Sequence, residues 1–471
     1  MVQQVCIIGG GPVGCALAVT LKSLGFGVDL FERYQDIRVV SPPAGRSINL
    51  VLTNRGLKLA DSLGLRQALL SETVQVRGRM LHSSDYSAVF QAYGRDGECN
   101  YSIDRSLLNK FWLSEAERCG CRVYFDHRAV GLDTRAGVVS FEHESGKATS
   151  MNVSKYAAVF ACDGGGSAIR GSLAASGALK SSETLLPAGY KEVVFPAKPD
   201  GSYAMDPDAL HIWARDKHML MALANSDGSF TGTIYMDTEG PVSFDSVCTD
   251  SVKAEAFWKA HYGDALALTD PAETISNFLG FKTGLLGTVR CSPWLHNVAN
   301  TPVCLIGDAA HAIVPFFGQG VNCGFEDVFE LADLVRRSEQ DLLLAMQQFS
   351  ELRKRNSDAI ADLALENFDE MRSRVGDPEF LFLKKLDGFI MNAFPGKYRT
   401  RYTLIMYSLN SYSCCKLFGE AQAQFLAVVK NEFGLSVDSD LSTAVDLARL
   451  SDLIDLHVTP VAQQLGVSFT F

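Results

Sequence analysis

The sequence predicts an α/β fold with a discontinuous nucleotide-binding domain, an inserted antiparallel β-sheet domain and a C-terminal helical region. Three observations support this prediction. Residues 5–31 read as a strand, a glycine turn, a helix and a second strand, which is how a βαβ unit begins. Residues 189–236 contain four strand-like stretches in close succession. From residue 324 onward, apolar residues recur at helical spacing.

The order of these patterns along the chain sets the domain boundaries. Strand and helix signals typical of the nucleotide-binding domain return after each β-rich stretch, so that domain is built from separate pieces of chain. The predicted boundaries are 1–75, 101–185 and 291–340 for the nucleotide-binding domain, 76–100 and 186–290 for the β-sheet substrate domain, and 341–471 for the helical region.

The opening βαβ unit has the pattern of a Rossmann-like dinucleotide site. Gly9, Gly11 and Gly14 form a G-x-G-x-x-G directly after the first strand, and Pro12 opens the helix. Glycines at these positions let the backbone approach a pyrophosphate, and the helix N-terminus offers N–H groups to it. Glu32 ends the next strand, where it can accept a hydrogen bond from a ribose hydroxyl. An acid at this position favours FAD or NAD over NADP.

Two later segments each follow an apolar strand. Asp163 and Gly164 begin a D-G-x-x-S-x-x-R segment that ends at Arg170, and Gly307-Asp308 follows the strand at 303–305. Taken singly, each is equally well an ordinary strand-to-helix turn, because Asp-Gly is common turn chemistry. The chain contains a single G-x-G-x-x-G after a strand, so a pyridine-nucleotide reductant would have to bind transiently in a groove.

The net charge of the chain restricts the kinds of molecule that it can bind. The 471 residues include 43 Lys and Arg against 54 Asp and Glu, which gives a formal net charge of −11. Nucleic acids and anionic membranes are bound by clustered positive charge, so the acidic excess argues against both. An anionic substrate must therefore be held by individually placed arginines, and a small molecule is the expected partner. Composition leaves the oligomeric state open.

Cysteine usage indicates a reducing compartment. The twelve cysteines form no C-x-x-C pair and no small disulfide framework. Cys119, Cys121 and His127 could be read as a metal cluster, but the stretch after Cys121 alternates like a strand, so no metal site is predicted. We see no signal peptide and no apolar stretch of the ~20 residues that span a bilayer. These features predict a soluble, cytoplasmic protein, or at most one peripheral to a membrane (the mitochondrial outer membrane, in a eukaryote).

The three glycine-containing segments together resemble the single-component, FAD-dependent aromatic hydroxylases of the p-hydroxybenzoate hydroxylase-like superfamily. The resemblance implies that Asp163 and Arg170 lie near the pyrophosphate and the reductant groove, and that Asp308 binds the ribityl chain. The helix opened by the Gly-Gln-Gly motif at 318–320 would face the flavin pyrimidine, with His311 as a structural residue. The implied FAD-binding residues are Gly9, Gly11, Pro12, Gly14, Glu32, Arg33, Arg46, Arg105, Asp163, Gly164, Arg170, Gly307, Asp308, Pro315, Gly318, Gln319, Gly320, Val321 and Asn322.

Further segments between residues 5 and about 408 resemble the kynurenine 3-monooxygenase family. The most specific are residues 311–320 and the Leu-His-Ile-Trp tetrad at 210–213, and 46–50, 77–80, 102–105 and 189–192 support them. By that resemblance Arg79 would bind the substrate carboxylate, although the residues alone also allow a surface charge on a strand. The implied substrate-binding residues are Arg79, Tyr93, Leu210, Met219, Met221, Phe230, Tyr235, Phe316, Phe317, Asn367, Glu370, Met371 and Tyr402.

The resemblance also implies the reaction. NADPH would reduce FAD, O₂ would form a flavin C4a-hydroperoxide, and L-kynurenine would be hydroxylated to 3-hydroxykynurenine, a step of tryptophan degradation towards quinolinate and NAD. The cofactor carries this chemistry. No side chain is therefore assigned as an acid or base, no metal is required, and Asn367 and Tyr402 are positioning residues.

Two alternative functions remain open, and a third is disfavoured because its motif is missing. A hydroxylase of another aryl acid is one, because Tyr235 stands where the family more often has Phe and Ala224 replaces a usual Pro. A flavin halogenase would carry a Trp-x-Trp signature, which the four tryptophans do not form. A non-catalytic flavin-fold binding protein is less favoured, because it need not keep ribityl and isoalloxazine contacts.

Overall fold

The structure is a computed structural model that describes residues 2–40, 48–373 and 377–469, with the side chains of 371–373 excepted. Its strands are β1 (Gln4–Ile8), β2 (Gly27–Phe31), β3 (Asn49–Leu52), β4 (Val74–Val76), β5 (Gly78–His82), β6 (Ala88–Ala92), β7 (Asn100–Asp104), β8 (Arg122–Tyr124), β9 (Arg128–Asp133), β10 (Val138–Glu142), β11 (Ala148–Asn152), β12 (Ala158–Ala161), β13 (Lys180–Phe195), β14 (Ala209–Arg215), β15 (His218–Ala224), β16 (Phe230–Asp237), β17 (Gly284–Ser292), β18 (Leu295–Val298) and β19 (Thr301–Leu305).

The helices lie between these strands and beyond them. They are α1 (Pro12–Ser23), α2 (Asn54–Ser62), α3 (Arg66–Leu70), α4 (Arg105–Arg118), α5 (Ala168–Ala175), α6 (Phe244–Val247), α7 (Ser251–Leu266), α8 (Pro271–Gly280), α9 (Asp308–His311), α10 (Gly320–Arg337), α11 (Leu342–Ser373), α12 (Pro378–Ala393), α13 (Arg401–Tyr407), α14 (Tyr412–Glu432), α15 (Leu441–Ala444), α16 (Leu447–His457) and α17 (Thr459–Leu465). Two short 3₁₀ turns occur at Val153–Lys155 and Pro315–Phe317.

A six-stranded sheet with the order β18-β19-β12-β1-β2-β8 forms the nucleotide-binding core. All its pairs are parallel except β18–β19. The four residues of β12 and the last four of β1 are fully buried, as expected for central parallel strands covered on both faces. Strands that are far apart in sequence are therefore neighbours here, and the predicted α/β fold class is confirmed.

A seven-stranded sheet with the order β17-β13-β16-β15-β14-β5-β6 lies beside this core. Its neighbouring strands are antiparallel except β5 and β14, which run parallel. Side chains alternate between the two faces of a strand. One face contributes Met219 and Tyr235 to an apolar cluster shared with the C-terminal helices. The other face packs against α6, α7 and α8, which the sequence interpretation did not foresee.

Two smaller sheets complete the architecture, β3-β7-β4 and β11-β10-β9. The long α11 packs against α10, α14 and the 3₁₀ turn at Pro315–Phe317, so the C-terminal helices contact the turn that precedes α10. In the described part of the chain, no helix combines the length and apolar character needed to cross a membrane.

Candidate functional site

The three predicted glycine segments meet at the carboxyl edge of the parallel sheet. Ile8, Ala161 and Leu305 end β1, β12 and β19, and the pairing register places these residues side by side. The chain continues from them into the turns at Gly9, Asp163 and Gly307. Ligands of open α/β sheets bind at this edge. Tertiary structure thus brings together segments that lie roughly 150 residues apart in the sequence.

The first turn is shaped so that only glycine fits at two positions. Gly9 has a φ of +108°, and a Cβ there would lie 2.3 Å from the carbonyl oxygen of Cys162. A Cβ on Gly14 would lie 2.0 Å from the carbonyl oxygen of Gly9. At Gly11, in contrast, no described atom lies within 4 Å of such a Cβ. Gly11 therefore faces open space at the N-terminus of α1, where Pro12 is the first helical residue.

This contrast gives a testable pair of variants. Gly11→Ala should leave the thermal stability of the apoprotein unchanged, because its φ of −70° suits alanine and the added methyl group meets nothing. The same methyl group would occupy the space of a pyrophosphate and weaken FAD binding at least tenfold, about 1.4 kcal/mol. Gly14→Ala should lower apoprotein stability as well. Titration of apoprotein with FAD, followed by flavin fluorescence, measures the first effect. Unchanged FAD affinity in Gly11→Ala would contradict the assignment.

Glu32 follows β2 and lies against the first turn. Its Oε2 accepts a hydrogen bond from the Gly10 N–H at 2.7 Å, and its Oε1 accepts one from the Tyr34 N–H at 2.8 Å. Burial raises the pKa of Glu32, while these backbone donors oppose the shift. Arg33 is exposed beside it and donates to the Tyr34 hydroxyl at 2.7 Å.

Two other arginines were predicted to bind the cofactor. Arg105 is exposed as the first residue of α4, which places its side chain at a helix N-terminus. Arg46 lies outside the described residues.

The second turn is stabilised by its own side chains. Asp163 accepts hydrogen bonds from the Ser167 hydroxyl at 2.6 Å and from the Ile169 N–H at 3.2 Å, and burial raises the pKa of Asp163. Arg170 is buried, and its guanidinium donates to the Ala309 carbonyl at 2.9 Å and to the Gly165 carbonyl. The guanidinium of Arg170 thus joins the second turn to the third.

The third turn presents a carboxylate. Gly307 has a φ of +62°, and the next residue, Asp308, is exposed at the start of α9. Nearby, Gly318 in the left-handed conformation closes the 3₁₀ turn that begins at Pro315, and Gly320 then opens α10. The N-terminus of α10 therefore follows this turn directly.

Two buried amide side chains hold this helix start in place. Asn322 donates to the carbonyl of Val51 at 2.7 Å and accepts from the Thr53 N–H at 2.9 Å. Gln319 accepts from the Tyr412 hydroxyl at 2.8 Å and donates to the Met406 sulfur at 3.2 Å. Gln319, a predicted cofactor residue, thus uses its side chain to contact the C-terminal helices.

Behind the third turn lies a chain of buried charges. Asp327 accepts from His311 Nε2 at 2.6 Å and from Arg353 Nε at 2.7 Å, and also from the Gly307 N–H at 3.2 Å. Glu326 bridges Arg353 at 2.6 Å and Arg55 at 2.7 Å. Although burial opposes ionisation of Asp327, His311 and Arg353 hold the pKa of its carboxyl below the usual value.

His311 stands at one end of this chain of buried charges, against Asp327. His311, Cys323 and Asp327 are close enough together to hold a metal ion. Both carboxylate oxygens of Asp327, however, already accept hydrogen bonds from His311 and Arg353.

The substrate-site prediction centres on one face of the seven-stranded sheet. Arg79 on β5 pairs with Leu210 on β14, and Met219 on β15 pairs with Tyr235 on β16. Because directly opposed residues point to the same side, the register places these four side chains and that of Met221 on one face. Arg79 is at the exposed end of this row, and its Nε donates to Gln91 Oε1 at 3.0 Å.

Aromatic rings connect this face to the Pro315–Phe317 turn. Tyr235 lies 5.3 Å from Phe316, measured between ring centroids, and Phe317 lies 6.0 Å from Tyr402. Tyr402 in turn stacks on Tyr93 at 5.5 Å. Burial raises the pKa of Tyr402 to about 12, so its hydroxyl keeps its proton at neutral pH. The rings form an apolar wall with neutral hydroxyl groups, and Arg79 provides a positive charge near Tyr93 and Tyr402.

Comparison with known proteins decides the family. The family model described as "FAD binding domain" matches residues 2–340. A kynurenine 3-monooxygenase of Myxococcus xanthus is 39% identical and covers 99% of this chain and 98% of its own. One from Dictyostelium discoideum is 35% identical, with 97% and 98% covered. The chain belongs to the kynurenine 3-monooxygenase family. The predicted family is confirmed, and the protein is an FAD-dependent aromatic monooxygenase.

Solved structures agree on the fold. A tetrameric 2-methyl-3-hydroxypyridine-5-carboxylic acid oxygenase matches with a TM-score of 0.61 and 17% identity, covering 81% of this chain and 95% of that one. The tetracycline destructase Tet(51) matches with a TM-score of 0.59 and 16% identity, covering 88% and 99%.

The residues present fit FAD. Gly11 leaves room for a pyrophosphate at a helix N-terminus, Glu32 is placed at the end of β2, and Asp308 is exposed between two turns with positive φ. When bound, FAD would contact all three turns and the N-terminus of α10, which favours negative charge on the flavin. The match of residues 2–340 to the FAD-binding family supports the same cofactor.

The structure corrects one substrate-site prediction. Phe230 opposes Ala224 on the strand pair, so its side chain points away from Met219 and Tyr235. It packs in the apolar cluster on the opposite face, with its ring 5.6 Å from that of His211. Residues an odd number of positions apart in a strand point to opposite faces, as Phe230 and Tyr235 do. The sequence pattern did not show which of the two faces the site. Ala224 lies on the same far face and does not line the predicted pocket.

Three residues of α11 were predicted to share a face towards the substrate. Asn367 donates to the Phe316 carbonyl at 2.6 Å, so it positions the aromatic turn. Glu370 forms ion pairs with Lys384 at 3.2 Å and Arg401 at 3.5 Å. The side chain of Met371 is outside the described part of the chain.

Sequence reasoning missed Gln91, which holds Arg79, and the buried charges around Asp327. No local sequence pattern could have predicted these contacts, because each joins residues from different strands or helices.

Proposed function

We propose that this monooxygenase hydroxylates L-kynurenine at ring position 3 and releases 3-hydroxykynurenine, with NADPH as reductant and O₂ as co-substrate. The observation that carries the proposal is the placement of Arg79 at the end of an apolar row formed by Leu210, Met221 and Tyr235. That arrangement suits a molecule with a carboxylate at one end and an aromatic ring at the other. The names of the curated relatives support the same substrate.

Arg79 has the geometry to bind a carboxylate. Its Nε is engaged by Gln91, which leaves the two terminal nitrogens to form parallel hydrogen bonds to one carboxylate group. The stacked pair Tyr93 and Tyr402 lies near this guanidinium and supplies neutral hydroxyl groups for the polar part of the substrate. The amino-acid end of kynurenine would therefore be held at the exposed end of the row.

The aryl ring would then lie over the apolar face, towards Tyr235 and Phe316. FAD, when bound, supplies O₂ activation and oxygen transfer, and it does so at a ring carbon made nucleophilic by the neighbouring amino group. The side chains act by orienting that ring and by excluding water with buried aromatic groups. No side-chain acid or base is needed for this role.

The reductant would bind without a domain of its own. In the described part of the chain, a single dinucleotide-binding βαβ unit begins with β1, α1 and β2, and FAD would occupy it. NADPH is therefore expected to bind transiently in a surface groove. The reaction would belong to tryptophan degradation by the kynurenine pathway.

Another aryl-acid hydroxylase remains a second candidate function, and Tyr235 favours it. The Tyr235 hydroxyl adds a polar group to an otherwise apolar wall, at a position where Phe is more usual. Such a group would suit a substrate with a hydrogen-bonding ring substituent.

The test is NADPH oxidation by the purified holoenzyme with and without L-kynurenine, combined with chromatography of the products. We expect L-kynurenine to accelerate NADPH oxidation and 3-hydroxykynurenine to accumulate in proportion. Parallel assays with anthranilate and 4-hydroxybenzoate serve as controls. Stimulation by one of these acids but not by L-kynurenine would reject the substrate and keep the reaction class. A protein purified without flavin that also fails to bind added FAD would reject both.

A further inference from the structure

Cys119 and Cys121 lie against each other where α4 ends and β8 begins. Their Sγ atoms are 3.8 Å apart, which is van der Waals contact for two sulfurs. Gly120 between them has a φ of +86°, and the Cys121 N–H donates to the Ala116 carbonyl at 3.0 Å. The left-handed glycine turns the chain so that both thiols fall on the same side. Neither cysteine belongs to the flavin or substrate site.

The two thiols differ in environment. Cys119 is partly exposed, whereas Cys121 is buried with its Sγ 3.6 Å from the Ala18 carbonyl. The hydrogen bond from Cys121 lowers the pKa of Cys119 to about 7, and Lys22 acts in the same direction. The same contact, together with burial, raises the pKa of Cys121. Since the thiolate is the nucleophile, Cys119 is the thiol that an oxidant in solution meets first.

We propose that Cys119 and Cys121 are a peroxide-reactive dithiol that closes to an intrachain disulfide. The Cys119 thiol first releases its proton to solvent. Its thiolate attacks one oxygen of H₂O₂, the O–O bond breaks, and the departing hydroxide takes up a proton from solvent and leaves as water. The Cys121 sulfur then attacks the sulfur of the Cys119 sulfenic acid, the S–O bond breaks, and the departing hydroxide takes the Cys121 thiol proton and leaves as a second water. Two thiols and one H₂O₂ thus become one disulfide and two waters.

The contact distance favours this second step. Closing the sulfurs from 3.8 Å to the ~2.05 Å of a disulfide requires a movement of under about 2 Å. Rotation of the partly exposed Cys119 side chain next to a glycine can provide it. A flavin monooxygenase produces H₂O₂ when it reduces O₂ without hydroxylating its substrate. The oxidant is therefore formed at the enzyme itself. In reducing compartments such disulfides are transient and redox-sensing.

The experiment uses the reduced holoenzyme, treated with H₂O₂ in slight molar excess and then alkylated and digested with trypsin. Cleavage after Arg118 and Arg122 releases residues 119–122 as a peptide that contains both thiols. We expect this peptide to escape alkylation and to be lighter than its reduced form by two hydrogens. Cys99 is also partly exposed and lies in the separate tryptic peptide 96–105, so it serves as the internal control and should remain alkylated.

Two variants separate the steps. Cys121→Ser should leave a Cys119 sulfenic acid that dimedone traps, whereas Cys119→Ser should leave Cys121 reduced. Both should keep wild-type FAD content and far-UV circular dichroism, which shows that the readout reports chemistry rather than folding. The proposal is overturned if the wild-type peptide stays fully alkylated, if Cys99 is oxidised first, or if Cys119 proceeds to sulfinic acid without forming the disulfide.

Discussion

Replacing Arg79 with alanine is expected to raise the KM for substrate by the equivalent of roughly 2–4 kcal/mol, with FAD still bound. The physical reason is that a guanidinium able to form two parallel hydrogen bonds is removed from a carboxylate that the apolar row partly desolvates. Steady-state kinetics with the substrate identified by the product assay give the KM. Flavin absorbance of the purified variant gives the FAD content.

Arg77, two residues before Arg79 in the sequence, provides a matched control. It is exposed, and its guanidinium forms an ion pair with Asp208 at 3.3 Å. Arg77→Ala should therefore leave KM within about twofold of wild type, because exposed ion pairs contribute little. If Arg79→Ala lost FAD, or if both variants changed KM equally, the carboxylate-binding role of Arg79 would be rejected.

Replacing Asp327 with asparagine is expected to lower the free energy of unfolding by roughly 3–5 kcal/mol. The carboxylate is fully buried and holds His311, Arg353 and the Gly307 N–H, so its loss leaves positive charge buried without compensation. FAD affinity should fall too, since Gly307 begins the turn that presents Asp308. Urea unfolding of apoprotein measures the first effect and flavin fluorescence measures the second.

Asp333 lies on the same helix, α10, and makes an exposed ion pair with Arg337 at 3.2 Å. Asp333→Asn should change the unfolding free energy by no more than about 1 kcal/mol, because water and salt screen such pairs. An equal loss in the two variants would mean that the buried position of Asp327 does not matter. Unchanged stability in Asp327→Asn would reject the role of the buried charge chain.

Local patterns were sufficient for the flavin turns. The strand before Gly9, the helix after Pro12 and the acid at Glu32 are neighbours in sequence, and the structure places them as expected. The same holds for the strands that precede Asp163 and Gly307. Backbone conformation at such turns depends on a few adjacent residues, which is why sequence motifs predict them well.

Strand parity was not predictable in the substrate sheet. Phe230 and Tyr235 both lie in β16, and both are apolar and buried, yet only Tyr235 faces the site. The sheet is covered on both faces, by the C-terminal helices on one and by α6–α8 on the other. Apolar residues therefore occur at odd and even positions of these strands alike, and the sequence pattern does not indicate which face lines the site.

Sequence motifs were enough to predict the dinucleotide turn, the order of the three flavin segments and, through resemblance, the enzyme family. The folded chain was needed to show which sheet face carries Arg79, that Glu370 pairs with Lys384 and Arg401, and that Asp327 joins the Gly307 turn to Arg353. The difference lies in the range of the interactions. A turn is specified by adjacent residues, whereas a buried ion pair or a pocket wall depends on partners that are brought together only when the core packs.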